Sequence, residues 1–131
     1  MRSMFCILCA ALAATVASSA LGGDFDGSKR LICAPVQAMD CAVEESCVKG
    51  LPNEIGAPAF MRIDFDKKTV SGERHASPVR FMEKTDKQVV LQGTELGYAW
   101  TIAVDQSTGK MVATLVDREG AFVLSGSCTP L

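Results

Sequence analysis

Apolar and polar residues alternate along most of the chain that follows residue 58. Met61, Ile63 and Phe65 fall on one side of a segment whose other side carries Arg62 and Asp64. A repeat of two residues is typical of a β-strand with one buried face. The later segments show the same alternation and are rich in valine, threonine and aromatic residues, which favour strands.

Short turn-forming sequences separate these segments. The last four turns are centred near residues 85, 96, 107 and 118, a regular spacing of about 11 residues that one strand plus one tight turn would occupy in an antiparallel meander. We therefore predict an all-β fold, a small antiparallel up-and-down barrel or sandwich of seven or eight strands. The predicted strands are 31–34, 59–65, 69–71, 79–83, 88–93, 98–104, 110–116 and 121–125.

The first strand is expected to stop at Pro35, because proline has no N–H to donate to a neighbouring strand. The segment Val36–Pro58 then becomes the one long connection. Its second part, Leu51–Pro58, contains two prolines and a glycine, which predicts a loop with at most one helical turn.

Large side chains gather on one face of the last strands. Tyr98 and Trp100 share one face of their strand, with Ala99 and Ala103 on the other, and Phe122 and Leu124 share one face of the last strand. This arrangement is typical of a barrel whose interior is filled by side chains. Core packing is the favoured interpretation, and a ligand pocket lined by these aromatic residues is the alternative.

One strand is apolar on both faces. In Lys110–Val116, Met111, Ala113 and Leu115 lie opposite Val112 and Val116. Either the Val36–Pro58 segment covers the outer face of this strand, or that face is a contact surface for a partner.

The first twenty residues have the features of an export signal. Arg2 precedes the uncharged apolar run Met4–Val16, and small residues follow at Ala17–Ala20. The run is shorter than the roughly 20 residues that span a bilayer, so we predict a cleaved signal peptide at 1–20 and no membrane span afterwards. A flexible lead at 21–30 and a single β domain at 31–131 follow, and the protein is expected to be periplasmic or secreted.

The charge of the exported chain excludes two classes of partner. Without Arg2 it has 12 lysines and arginines against 15 aspartates and glutamates, a net charge of −3. Nucleic acids and anionic membrane surfaces both select basic proteins. The sequence therefore predicts neither as a partner.

The four cysteines that follow the signal predict disulfides. An even number of cysteines in a small exported domain usually forms a disulfide framework. Of the three pairings, we favour Cys33–Cys128, which would join the first and last strands of a closed barrel. Cys41–Cys47 would then order the loop that carries Glu44 and Glu45.

No metal site, cofactor site or catalytic residue is predicted. The cysteines lack the C-x-x-C spacing of zinc and redox sites, and no glycine-rich phosphate loop is present. His75, the single histidine, lies in a polar loop near Glu73 and Ser77, and neighbours in a loop rarely form a catalytic triad. Asp64 and Asp66 form a carboxylate pair of the kind that usually lies at a solvated strand end.

Several segments resemble a group of small exported bacterial β-barrel proteins. The shared pattern is a strand ending in Asp (Tyr98–Asp105), a Thr-Gly turn (Thr108–Met111) and a last strand ending in Gly-x-Cys (Phe122–Cys128), supported by Leu31–Cys33 and Arg62–Phe65. The resemblance covers most of the exported chain. It implies the fold and no active site.

The expected architecture is also similar to that of periplasmic inhibitors of c-type lysozyme. Their Ser-Gly-x-x-Tyr strand corresponds to Ser71-Gly72 here, but His75 stands where the tyrosine belongs, and Lys49-Gly50 lies upstream of the position of their Lys-Gly segment. The similarity therefore rests on architecture, which is weak support for a shared function.

The sequence thus predicts an exported, non-enzymatic barrel that binds an envelope protein or a small apolar ligand. Loops at one end, including Cys41–Cys47 and Gly72–Pro78, would make the contacts. The candidate binding residues are Tyr98, Trp100, Phe122, His75, Glu44 and Glu45.

Three alternatives remain open. They are a periplasmic lysozyme inhibitor, a hydrolase that uses His75 or Asp64 with Asp66, and a structural envelope component that assembles through Lys110–Val116.

Overall fold

The computed structural model describes residues 23–131. The predicted signal peptide and the first two residues of the predicted lead lie outside these residues. The described chain contains a single turn of 3-10 helix at Pro52–Ile55 and nine strands. The strands are β1 (Leu31–Ala42), β2 (Val48–Gly50), β3 (Met61–Asp64), β4 (Thr69–Ser71), β5 (Ala76–Lys84), β6 (Gln88–Glu95), β7 (Tyr98–Asp105), β8 (Lys110–Val116) and β9 (Gly120–Pro130).

Eight of these strands form a closed antiparallel barrel. The strands β3 to β9 pair in sequence order, and β1 closes the ring by pairing with both β3 and β9. The extra strand, β2, pairs with β1 through Ala38–Asp40. The predicted all-β up-and-down barrel is confirmed, and so are the four regularly spaced turns between the last five strands.

The predicted end of the first strand is wrong. β1 continues through Pro35 to Ala42, and its pairing with β9 shifts register between Pro35 and Gln37. A bulge accommodates a residue that has no N–H donor, which is why the proline does not end the strand. Consequently Val36–Pro58 is not one connection, because it contains the second half of β1, all of β2 and the predicted helical turn.

Both predicted disulfides are present. Cys33 and Cys128 are directly opposite each other on β1 and β9, with Cα atoms 3.9 Å apart, because β9 runs on to Pro130 rather than ending near Ser125. This bridge is buried and joins the first strand to the last. The second bridge, Cys41–Cys47, closes the loop between β1 and β2.

Side chains fill the barrel interior. The buried apolar residues come from seven strands and from the residue after β3, so the core extends around the whole ring. Its apolar members are Leu31, Cys33, Ala38, Met61, Ile63, Phe65, Val70, Val89, Leu91, Trp100, Ile102, Val104, Met111, Ala113, Leu124 and Cys128.

The segment that precedes β1 packs against one end of the barrel. Phe25 contacts the core, and it lies so close to Gly109 that a Cβ there would be 2.5 Å from its ring. Lys84 Nζ donates a hydrogen bond to the Gly27 carbonyl over 3.0 Å. These contacts position residues 25 and 27 of the predicted lead against the barrel. The predicted flexibility of the lead stays a prediction.

Three rows of outward-facing residues on five adjacent strands contain no charged side chain, and the next row toward the lower end contains Asp105 and Lys110. The strand registers align three rows of outward-facing residues across β6, β7, β8, β9 and β1, and we call these fifteen positions the uncharged face. The Val36–Pro58 segment does not cover its centre, since Val112 and Val116 are 50% and 46% exposed. The rows are Val90, Ala103, Val112, Ser125 and Gln37; Gln92, Thr101, Thr114, Val123 and Met39; and Thr94, Ala99, Val116, Ala121 and Cys41.

Candidate functional site

The connections of an up-and-down barrel alternate between its two ends, and this places most candidate residues together. The connections 43–47, 72–75, 96–97 and 117–119 share one end, which we call the upper end. The lead, the turns 65–68, 85–87 and 106–109, and the C-terminus share the opposite, lower end. The two loop segments that the sequence predicted as contact regions therefore lie at the same end.

The connections of the upper end are acidic. They contain five carboxylates and two guanidinium groups, a formal net charge of −3 before His75 is considered. In the β8–β9 turn, Arg118 pairs with its neighbour Glu119 at 3.3 Å. The carboxylates of Glu44 and Glu45 are exposed in the disulfide-closed loop. The upper end is therefore suited to a positively charged partner.

The acidic loop is held against its neighbours. The Cys41–Cys47 bridge closes it, and Glu45 N–H donates to the Ala42 carbonyl over 3.2 Å. Val43 N–H donates to the Glu119 carbonyl over 3.1 Å, which links this loop to the β8–β9 turn. Two separate connections are thereby joined into one acidic rim.

An aromatic pair lies inside this rim. The rings of Tyr98 and Phe122 are 6.2 Å apart between centroids and tilted by 46°, a separation within the range of favourable aromatic pairs. Both residues are half-buried at the top of the interior, beside Leu115, which is paired with Phe122. The aromatic pair gives the upper end an apolar floor below its charged rim.

Two carboxylates that the sequence analysis missed face the same mouth. Asp40 is paired with Phe122 and Glu95 with Tyr98, so each shares the inward side of its aromatic partner. The alternation of side chains along a strand would place Asp40 on the inward side, but a first strand that ends at Pro35 does not include it. Carboxylates beside aromatic faces form an environment that attracts a lysine or arginine side chain.

An exposed leucine forms the tip of the β6–β7 hairpin. Leu96 and Gly97 have φ values of 50° and 88°, the left-handed conformation of a tight hairpin turn. Asparagine usually occupies the first of these positions, because a side chain such as leucine is strained there. Leu96 is also 79% exposed, and it borders an open depression of about 510 Å³ that extends to Tyr98 and Val116.

Trp100 supports this site from below. It is only 8% exposed, and its indole N–H donates to Ser77 Oγ over 2.8 Å. The Ser77 hydroxyl in turn donates to the Thr94 carbonyl over 3.3 Å. A Cβ on Gly93 would overlap the indole ring, so the absence of a side chain there allows Trp100 to pack in place. Trp100 is thus a core residue beneath the mouth.

The residues considered for catalysis are not assembled. His75 is exposed in the short β4–β5 connection, where its carbonyl accepts a hydrogen bond from Gly72 N–H over 3.0 Å. Ser77 faces the interior and is bonded to Trp100. Asp64 and Asp66 lie at the lower end, where Asp64 Oδ1 accepts a hydrogen bond from Lys67 N–H over 2.9 Å within a turn.

The strongest pKa shift also marks a turn rather than a reactive site. Hydrogen bonds from the hydroxyl groups of Ser107 and Thr108, supported by their backbone N–H groups, lower the pKa of Asp105 to about 2. This carboxylate organises the β7–β8 turn at the lower end.

Residues 23–131 contain no further candidate site of two kinds. No group of three or more histidine, cysteine, aspartate or glutamate residues is placed there to hold a metal ion. Within the same residues, no helix is long and apolar enough to cross a membrane.

Comparison with known proteins gives no assignment, since no protein-family model, curated protein or solved structure matches the chain. The resemblances described above stay predictions.

Proposed function

We propose that this chain is an exported, non-enzymatic binding protein whose upper end recognises a basic protein of the cell envelope. One observation carries the proposal: the upper end combines an acidic rim, an aromatic floor and an exposed leucine tip. Aromatic and aliphatic anchors surrounded by polar groups are typical of protein-binding surfaces. Export is part of the proposal and is supported by the first twenty residues and by the two disulfides.

The packing of the barrel favours a protein partner over a small apolar ligand. Carriers of apolar ligands enclose them, burying most of the ligand surface in a cavity. Here the interior is occupied by packed side chains, and the depressions of about 510 Å³ beside Leu96 and about 240 Å³ beside Pro52 are open to solvent. A protein partner can bind the exposed Leu96 tip and the acidic rim of the upper end, which could not enclose a small molecule.

Charge and shape define the chemistry of the partner. The acidic rim would pair with lysine and arginine side chains, and a cationic group entering the mouth would meet Asp40, Glu95 and the aromatic pair. Leu96 would insert into an apolar cleft. A c-type lysozyme inhibitor is a narrower form of this proposal, supported by the architectural similarity and not by the inhibitor motif.

The test compares two single charge reversals at opposite ends of the barrel. Glu45→Lys changes the acidic rim, and Asp86→Lys makes the same change of charge in the exposed β5–β6 turn at the lower end. Binding is measured by biosensor against basic envelope proteins separated by cation exchange, and against a c-type lysozyme. Inhibition of lysozyme is measured as slower lysis of cell-wall suspensions.

We expect Glu45→Lys to weaken binding by between about twofold and thirtyfold, since an exposed ion pair contributes ~0.2–1 kcal/mol and reversal replaces an attraction with a repulsion. Asp86→Lys should leave binding within about twofold, and the loss with Glu45→Lys should shrink at high salt. Equal effects of both reversals would contradict recognition at the upper end. If lysis is not slowed, the lysozyme-inhibitor hypothesis is wrong. The broader proposal is then decided by the binding measurements against basic envelope proteins.

A further inference from the structure

The two disulfides differ in their access to solvent. Cys33 and Cys128 are 0% and 8% exposed in the barrel interior. At the upper end, Cys47 is exposed and Cys41 is half-buried. Reduction of a disulfide requires a thiolate to reach one of its sulfur atoms, so an exposed bridge reacts while a buried one is protected. A thiol reductant would therefore open Cys41–Cys47 before Cys33–Cys128.

The exposed bridge lies outside the pairing that closes the barrel. Cys41 and Cys47 come directly after the last residue pair between β1 and β2, and β2 is the strand that lies outside the ring of eight. The ring is closed by β1 and β9, which the buried bridge joins. Opening of the exposed bridge would therefore leave the barrel folded and change the upper end alone.

The exposed bridge also holds the acidic loop in a conformation that a free chain would leave. Glu44 has a φ of 64°, the left-handed conformation that suits glycine or asparagine and is unfavourable for glutamate. The strand that follows the loop, β2, has three residues and pairs with β1 alone among the described strands. A pairing this short is marginal without support. Loss of the covalent link would release residues 43–46 and let Glu44 relax.

We propose that Cys41–Cys47 is a redox switch that controls binding at the upper end. In the closed state the loop presents Glu44 and Glu45, and Val43 N–H donates to the Glu119 carbonyl over 3.1 Å to join the loop to the β8–β9 turn. In the open state the two carboxylates lose their fixed positions in the acidic rim. The oxidised protein would accordingly bind a basic partner more tightly than the reduced protein. The effect on binding rests on the proposed function, whereas the selective reduction does not.

The switch exchanges two electrons and two protons with a dithiol. One thiolate of the dithiol attacks the sulfur of Cys47, the exposed member of the bridge; the Cys41–Cys47 bond breaks, and Cys41 leaves as a thiolate. The second thiol of the reductant then attacks the mixed disulfide and releases Cys47. The dithiol ends as a disulfide, and the two cysteines take up the two protons that its thiols lost.

The test treats the folded, oxidised exported chain with increasing concentrations of dithiothreitol. Free thiols are blocked with N-ethylmaleimide and located by peptide mass spectrometry, and circular dichroism verifies the fold. After removal of the reductant, binding to basic envelope proteins separated by cation exchange is measured by biosensor. Cys41→Ser/Cys47→Ser is the matched control, since it lacks the exposed bridge and carries no blocking group at either position.

We expect Cys41 and Cys47 to be labelled at a dithiothreitol concentration at least about tenfold below the one that labels Cys33 and Cys128. The blocked protein and Cys41→Ser/Cys47→Ser should both bind between about twofold and thirtyfold more weakly than the oxidised protein, which is the contribution of two exposed ion pairs. Dithiothreitol should not weaken the binding of this variant further.

The outcomes separate the switch from the proposed function. Simultaneous reduction of both bridges overturns the switch, and so does unchanged binding after the exposed bridge is opened. Where Glu45→Lys still weakens binding in either case, the proposed function stands. An oxidised protein that binds no basic protein refutes the proposed function and the control of binding together, even where reduction is selective.

Discussion

Removal of the two disulfides should have unequal effects on stability. Cys33–Cys128 joins residues 95 positions apart, whereas Cys41–Cys47 joins residues six apart. A disulfide restricts the unfolded chain more when it closes a longer loop. The double variants Cys33→Ala/Cys128→Ala and Cys41→Ala/Cys47→Ala compare the two bridges in the same protein.

The chain-entropy model gives the size of the difference. It assigns about 4.7 kcal/mol to the long loop and about 2.2 kcal/mol to the short one, so the first variant should be less stable than the second by about 2.5 kcal/mol. Burial increases this difference in stability, because Cys33 is fully buried and its replacement by alanine removes packed atoms from the core. A domain of this size has roughly 5–15 kcal/mol of stability, so loss of the long-loop bridge should remove between about a third and nearly all of it.

Equilibrium unfolding in urea, without reductant, measures both free energies. We expect a large loss of stability for the Cys33/Cys128 variant and a modest loss for the Cys41/Cys47 variant, with similar spectra for the folded states. Equal losses would show that closure of the barrel between β1 and β9 does not depend on the buried bridge. A larger loss for the exposed loop would refute the reasoning from loop length.

Two further predictions concern single residues. Leu96→Asn should raise the free energy of unfolding by up to about 1 kcal/mol, since asparagine tolerates the left-handed conformation, and should weaken partner binding because it removes the exposed apolar tip. Urea unfolding measures the first effect and biosensor binding the second. A stabilised variant with unchanged binding would exclude Leu96 as an anchor. Asp105 has a pKa of about 2, below its value of ~3.9 in unfolded chains, so its contribution to stability should be complete above about pH 5 and should disappear as the pH falls through 4 to 2. Urea unfolding of the wild type and Asp105→Asn across this range should show a stability difference that narrows with acid, and a difference that stays constant with pH would contradict this assignment.

Local sequence patterns predicted most of the barrel because its last five strands are joined by tight turns. Alternation located Met61 and Ile63 on the inner face, and the turn spacing placed the later strands to within a few residues. The disulfide pairing followed from closure, since the first and last strands of a barrel are neighbours. These inferences needed only local periodicity and one topological rule.

The first strand was harder to predict because its conformation depends on its neighbours. Pro35 would end an isolated strand, but β9 pairs with β1 on both sides of the bulge and keeps the chain extended to Ala42. Asp40 was missed for the same reason. Leu96 was recognised only as part of a turn, since its exposure depends on the turn conformation that the hairpin adopts.

The uncharged face is a property of five strands in register. A single strand shows only that Lys110–Val116 is apolar on both sides, which core burial would explain equally well. The pairing of Val112 with Ala103 and Ser125 shows that its neighbours are also uncharged. Long-range register therefore revealed a surface that local sequence patterns did not define.

The central claim is that the upper end of the barrel binds a basic protein. The most direct measurement is cross-linking mass spectrometry on intact cells that produce the protein, without reductant, using a reagent that couples carboxylates to amines. We expect cross-links from Glu44, Glu45 or Glu119 to lysines of one basic partner. Cross-links confined to the lower-end carboxylates Asp66 and Asp86, or a purified monomer that carries a small ligand and no partner, would contradict it.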